Sequence, residues 1–259
     1  MLIGPQISAA DAALAERLQA LRAAIAAAAA ASGRTEESIT LVAVSKGHDE
    51  RAIRAAAALG VRDFGESYLQ EGLSKCAALA DLPLTWHFIG RIQANKTRAI
   101  AEHFDWVHGI DRLKIAERLS AQRSATRPAL QVCIHVNIAS EPSKAGIPAA
   151  QLPQLAAQLG RLPRLQLRGL MCILPEGRGT ASNRRDFAAL RALLERLRAQ
   201  GAALDSLSLG MCGDFREAIE EGATLVRIGT ALFGPRAPAP GPAGRMDSAP
   251  AAPSAAGLG

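Results

Sequence analysis

Short apolar runs alternate with segments of helical periodicity along this chain, and that alternation constrains the fold more than any other feature. The runs are "ITLVAVSK" (39–46), "VRDFGE" (61–66), "TWHFIG" (85–90), "WVHGI" (106–110), "LQVCIHVNI" (130–138), "LQLRGLMC" (165–172), "LDSLSLG" (204–210) and "LVRIGT" (225–230). Between them, "DERAIRAAAALG", "AQLPQLAAQLGRLP" and "RRDFAALRALLERLRAQG" repeat apolar residues every three to four positions. Strands that alternate with helices are parallel and joined by right-handed crossovers. Eight such units in 259 residues point to a closed (β/α)8 TIM barrel, an α/β fold of one domain. The second run is weak, so a count of seven stays open. No GxGxxG follows the first strand, which argues against a dinucleotide fold.

Two segments lie outside the repeat. Near the N-terminus, Leu14, Leu18, Leu21 and Ile25 recur at helical spacing, with Ser8 as cap and an end near Gly33. Asp11, Glu16, Arg17 and Arg22 precede its Ala run, so the segment reads as a surface helix rather than a signal sequence. From Pro235 onward the chain is rich in Pro, Ala and Gly without periodicity, which predicts a disordered tail. The expected division is 1–36 for an N-terminal helix packed on the barrel, 37–235 for the barrel and 236–259 for the tail.

Composition excludes several function classes. The net charge of +6 comes from scattered arginines, and aromatic residues are 3% of the chain. A single-strand binder needs stacking platforms that so few aromatics cannot supply, so nucleic acid is not expected as a partner. Cys76, Cys133, Cys172 and Cys212 show neither metal-ligand spacing nor a disulfide framework. A reducing, cytoplasmic setting is the expectation, with no metal and no membrane span.

The candidate chemistry starts at Lys46. Arginines outnumber lysines 25 to 5, yet the first strand ends in a lysine after Leu-Val-Ala-Val. Lysine, unlike arginine, can lose its proton when desolvated and become a nucleophile. The other lysines (Lys75, Lys96, Lys114 and Lys144) read as lying in polar surroundings. Read as a strand-end residue, Lys46 sits at the C-terminal face of the barrel, where ligands gather. Strands seven and eight end in "SLGMCGDFREAI" and "VRIGTALFG", where glycines and free helix-start amides suit a phosphate. Each feature has a plainer reading: a lysine that snorkels into water, a helix cap at Asp214, and a tight turn at Gly229. Together an amine and a phosphate cradle suggest pyridoxal 5′-phosphate, which forms a Schiff base with a neutral amine. A Schiff-base aldolase on a sugar phosphate uses the same parts.

Seven motifs in order, "LVAVSK", "DFGESYLQEG", "WHFIGRIQANK", "HFDWVHGIDR", "LRGLMCI", "SLGMCGDFREAI" and "VRIGTALFGPR", resemble the pyridoxal phosphate homeostasis protein family. Its members are single barrels related to the barrel domain of alanine racemase. The resemblance implies that Lys46 holds the cofactor as a Schiff base and that Arg227 faces the pyridine nitrogen. It implies that Gly229 and Thr230 bind phosphate through backbone amides, and it places His87, Phe88 and Asn95 in a motif of the pocket wall. Two departures stand out: Gly210-Met211-Cys212 replaces the common "GMS", and Gly65-Glu66-Ser67 replaces "GEN". A thiol donates more weakly than a hydroxyl, and Ser67 reaches less far than asparagine. The expected cofactor-binding set is therefore Lys46, Arg227, Gly229, Thr230, Cys212, Met211, Ser67 and His87, with no catalytic residue assigned.

Two function classes follow. A racemase needs a base on each face of Cα; in alanine racemase the second is a tyrosine supplied through a further domain of a partner subunit. This chain shows no such domain, and its only tyrosine, Tyr68, lies early. The favoured expectation is a cofactor carrier that regulates intracellular pyridoxal phosphate, with apo-enzymes as recipients and a monomeric state. A racemase-like enzyme is the alternative.

Overall fold

The computed structural model describes residues 8–141 and 145–235. Among them, eight parallel strands close on themselves in chain order. They are β1 (Thr40–Val44), β2 (Asp63–Glu66), β3 (Thr85–Phe88), β4 (Trp106–Ile110), β5 (Leu130–His135), β6 (Leu165–Met171), β7 (Ser206–Ser208) and β8 (Leu225–Ile228). The seam is β8 against β1, with Thr40 facing Leu225 and Ala43 facing Ile228. The weak second run is thus a strand, although a short one. Around the barrel lie α2 (Glu50–Ala58), α3 (Leu69–Ala78), α4 (Thr97–His103), α5 (Leu113–Gln122), α6 (Leu152–Leu159), α7 (Thr180–Ala199), α8 (Phe215–Glu220) and α9 (Thr230–Phe233), preceded by α1 (Ala9–Ala31).

Side chains alternate across each strand. Ala43, Phe64, Val107, Val132 and Val226 join the apolar layer under the helices. The opposite set turns into the barrel. Bulky aliphatic residues usually fill such an interior, but here Asp63, His87, His108, Ser208 and Arg227 meet there through hydrogen bonds.

Helix α1 follows its sequence pattern. The Ser8 hydroxyl accepts from the Asp11 amide at 3.2 Å, and Leu14, Leu18, Leu21 and Ile25 form the buried stripe. Gly33, at φ 69°, ends it. The helix packs on α8 and α9. Arg17 Nε donates to the Leu232 carbonyl at 2.7 Å, and Arg34 Nη1 to the Ala223 carbonyl at 2.7 Å. The N-terminal segment therefore braces the elements on either side of β8.

Two expectations need correction or placement. β1 stops at Val44 rather than Lys46: the Ser45 amide still donates to the Gly65 carbonyl, and the chain then turns, with the His48 amide returning to the Ser45 carbonyl. The tail expected from residue 236 lies outside the described residues, as does Lys144. No helix among the described residues is long and apolar enough to cross a membrane.

Leu18 is 3% exposed in α1. Leu18→Ala is expected to lower stability by about 2–5 kcal/mol, the range for an emptied leucine site. Denaturant unfolding measures it; a loss below about 0.5 kcal/mol means that α1 does not brace the barrel.

Candidate functional site

The C-terminal ends of β1, β2, β6, β7 and β8 surround a cavity of about 460 Å³. Lys46, Ser67, Met211, Cys212, Arg227, Gly229 and Thr230 all line it. His87 does not. It lies inside the barrel, fully buried, 2.9 Å from Asp63 Oδ1 and from His108 Nε2. As an inward residue within β3 it belongs to the filling below the mouth, so its expected place on the pocket wall is corrected. Phe88 faces the helices and packs on Phe104, with ring centroids 5.3 Å apart, and Asn95 is exposed.

The lining also holds residues that the sequence reading missed: Ile173 to Arg178 after β6, Asn183 on α7, and Asp214. The first had a readable signal, since the loop after a sixth barrel strand opens on the same face. Asn183 had none. Its Oδ1 is buried without a hydrogen-bond partner.

Lys46 is half-buried, two residues beyond its strand. The most buried described lysine is instead Lys75, at 3% exposure; its surroundings are polar, as expected, but its burial was not foreseen. Lys75 Nζ contacts Glu66 Oε1 and Glu71 Oε1, each at 2.7 Å, and donates to the Ser45 carbonyl at 2.7 Å. The Ser45 hydroxyl donates to Glu66 Oε1 at 2.7 Å, and the Gly47 amide to Glu71 Oε1 at 2.5 Å. Both neighbours of Lys46 are thus tied to one buried charge cluster. This cluster takes over where the β1 ladder stops, and it fixes the backbone that carries the Lys46 side chain. Burial raises the Glu66 pKa, against the opposing pull of Lys75 and Ser45. Burial also pushes Glu71 upward, but Lys75 and the Gly47 amide outweigh it and hold that carboxyl below its usual range.

The opposite wall presents backbone donors. Gly210 at φ 84° starts the turn after β7, and a Cβ there would lie 2.8 Å from Phe215 Cα; only glycine fits. The Asp214 carboxylate, expected to cap α8, instead accepts the Met211 amide at 2.6 Å. The amides of Cys212, Gly213, Gly229 and Thr230 meet no acceptor among the described residues. Arg227 reaches the same cavity from inside. Its Nη1 donates to the Ser208 carbonyl and hydroxyl at 2.7 and 2.5 Å, and its Nη2 to the Cys172 carbonyl at 2.9 Å. Arg227 is 4% exposed, and no carboxylate pairs with it among the described residues. Its hydrogen-bond partners are neutral, and the carboxylate whose charge acts on it is Asp214, on the wall of the same cavity. No metal-ligand cluster occurs among the described residues, and all four cysteines are free.

The comparisons agree with this geometry. The family described as "Alanine racemase, N-terminal domain" matches residues 17–237. The pyridoxal phosphate homeostasis protein of Pseudomonas aeruginosa is 55% identical over 223 residues, which span 86% of this chain and 96% of that protein. This chain belongs to the pyridoxal phosphate homeostasis protein family. The namesake from Escherichia coli K12 is 48% identical over 230 residues, covering 86% of this chain and 97% of its own. Among solved structures, PipY of Synechococcus elongatus with PLP bound superposes with a TM-score of 0.76 at 41% identity, over 85% of this chain and 100% of that one. Alanine racemase of Corynebacterium glutamicum shares the fold, with a TM-score of 0.62 at 18% identity, over 86% of this chain and 62% of that one.

Two outcomes follow. Lys75→Ala leaves Glu66 buried without its cation, a change expected to reduce stability by about 3–5 kcal/mol; denaturant titration that finds less than about 1 kcal/mol means the cluster is not holding the β1 end. His135, closing β5, is pushed from 6.5 down to about 4 by burial and by the Arg227 charge. Its folded pKa is depressed, so its contribution is complete above about 6.5 and is lost as pH falls toward 4. The loss reaches about 3 kcal/mol. Stability measured across that window should flatten in His135→Asn relative to the unaltered protein.

Proposed function

We propose that this chain binds pyridoxal 5′-phosphate in the mouth cavity, held by Lys46 as a Schiff base, and acts as a carrier that helps regulate its intracellular level. One observation carries the reading: a lysine amine and a buried arginine with neutral hydrogen-bond partners open onto one cavity whose far wall offers four amides without acceptors. The residues fit the group at each of its ends. When bound, the cofactor supplies an aldehyde that condenses with an amine, losing water.

The chain's own residues do the rest. Lys46 presents the amine from a backbone pinned at Ser45 and Gly47. The amides of Cys212, Gly213, Gly229 and Thr230 receive the phosphate, and the start of α9 adds its positive end. The Cys212 amide serves regardless of its side chain, so the thiol in place of a hydroxyl removes one donor at most. Arg227 would hold the ring nitrogen of the cofactor by donating to it, which would keep that nitrogen unprotonated. Asn183 lines the same cavity, with its Oδ1 buried and without a donor among the described residues.

Carrier rather than racemase is favoured by the placement of Tyr68, which is 65% exposed and lies outside the cavity lining. A second base would need to reach the substrate face opposite Lys46. Apo-enzymes that need the cofactor are the proposed recipients, and a monomer is the proposed state.

The test is direct. Protein mixed with pyridoxal phosphate should turn yellow, and borohydride should fix the adduct on the peptide containing Lys46. Lys46→Ala should lose the reducible adduct entirely. An adduct on another lysine, or none, overturns the site; steady conversion of L- to D-alanine, lost in Lys46→Ala, overturns the carrier reading.

A further inference from the structure

Below the cavity, a chain of buried polar groups runs through the barrel interior. Arg227 Nη1 lies 2.5 Å from Ser208 Oγ, Ser208 Oγ 2.8 Å from His108 Nδ1, His108 Nε2 2.9 Å from His87 Nδ1, and His87 Nε2 2.9 Å from Asp63 Oδ1. His87, His108 and Ser208 are fully buried. Asp63 sits at the start of β2, with its side chain 28% exposed at the foot of the barrel. The chain therefore joins the cofactor mouth to the opposite end.

Proton positions along it follow from donor chemistry. Arginine only donates, so the Ser208 oxygen accepts from it on one lone pair and keeps its single hydroxyl proton to give to His108 Nδ1 when that nitrogen is unprotonated. His108 must then carry its proton on Nε2 and donate to His87 Nδ1. His87 in turn carries its proton on Nε2 and donates to Asp63. The other end requires the same order, because an ionised carboxylate only accepts. Every proton points from Arg227 toward Asp63, with a cation at one end and an anion at the other. Such a chain polarises each member in the favourable sense. A proton added to His87 would set two N–H groups face to face. Burial, His87 and the Arg227 charge hold His108 well below the usual histidine range, which keeps it neutral.

The geometry points to Asp63, His87, His108 and Ser208 as positioning residues for Arg227: a one-way hydrogen-bonded relay that locks the guanidinium as a donor toward the cofactor's ring nitrogen. This inference rests on the proposed cofactor site. Asp63 ends the chain as its terminal acceptor, through three intervening groups, while Asp214 on the cavity wall is the carboxylate whose charge acts on Arg227. The relay touches no substrate. Its influence passes only through Arg227.

Two measurements on the full-length protein test it. Long-range ¹H–¹⁵N correlation spectra of the cofactor-free protein near neutral pH should show His87 and His108 both as neutral Nε2–H tautomers. An Nδ1–H tautomer or an imidazolium at either position overturns the relay whether or not pyridoxal phosphate binds. In the second, pyridoxal phosphate is titrated into Ser208→Ala, Asp63→Ala and Asp63→Asn. The two alanine variants should bind about tenfold more weakly, the loss expected for a bond to a charged group. Their visible band should also shift. Asp63→Asn should stay close to the unaltered protein, because its amide oxygen still accepts from His87. Folded alanine variants with unchanged affinity and spectrum overturn the relay; if either fails to fold, the tautomer spectra decide. Absence of a reducible adduct in the unaltered protein refutes the cofactor site instead.

Discussion

A guanidinium buried inside a closed barrel needs neutral acceptors around it and a reason to keep its charge. Arg227 has the first in the Ser208 and Cys172 carbonyls and the Ser208 hydroxyl. Much of the rest of the interior follows from it. Burying so large a charge without compensation would be costly, and the polar filling of histidines, serine and aspartate supplies acceptors in sequence from mouth to foot. An aliphatic stack could not do this. Burial, aided by the same charge, lowers the proton affinity of His108 and His135, so these two imidazoles stay neutral.

On the other side of the mouth, the problem is mechanical rather than electrostatic. A lysine on a long flexible stem is a poor reference point unless its backbone is held. The strand ladder stops two residues short of Lys46, and the Lys75–Glu66–Glu71 cluster takes over through Ser45 and Gly47. The two halves of the site are thus fixed by different means: the amine by a buried ion cluster outside the barrel, and the arginine by hydrogen bonds within it.

The architecture was legible because strand and helix periods alternate so regularly, and because the apolar stripe and the Ser8 cap of α1 are local signals. Most of the pocket was legible too, since a parallel barrel places every strand end on one face and glycines mark where backbone approaches a ligand. What escaped was side-chain partnership at long range. Lys75 lies on a polar-looking helix, and nothing nearby announces that Glu66 and Ser45 will bury it. His87 stands in a motif shared with the pocket wall, yet the inward alternation of β3 turns it to Asp63 and His108. Asn183 gave no local cue, because its place in the lining depends on how α7 seats against the β6 loop. The end of β1 was misread as well: the chain turns after Ser45, and that turn is held by residues about 20 to 30 positions away.

The brace between α1 and α9 has a kinetic corollary. Arg17 donates to the carbonyl of Leu232, 215 positions further along. During synthesis, the helix made first can find this partner only after nearly all the described chain has emerged. Loop closure over such a span is slow. Closing this contact therefore requires both extremes of the described chain, and it lies beside the turn proposed to receive the phosphate. A chain cut anywhere between them loses the brace together with one side of that turn.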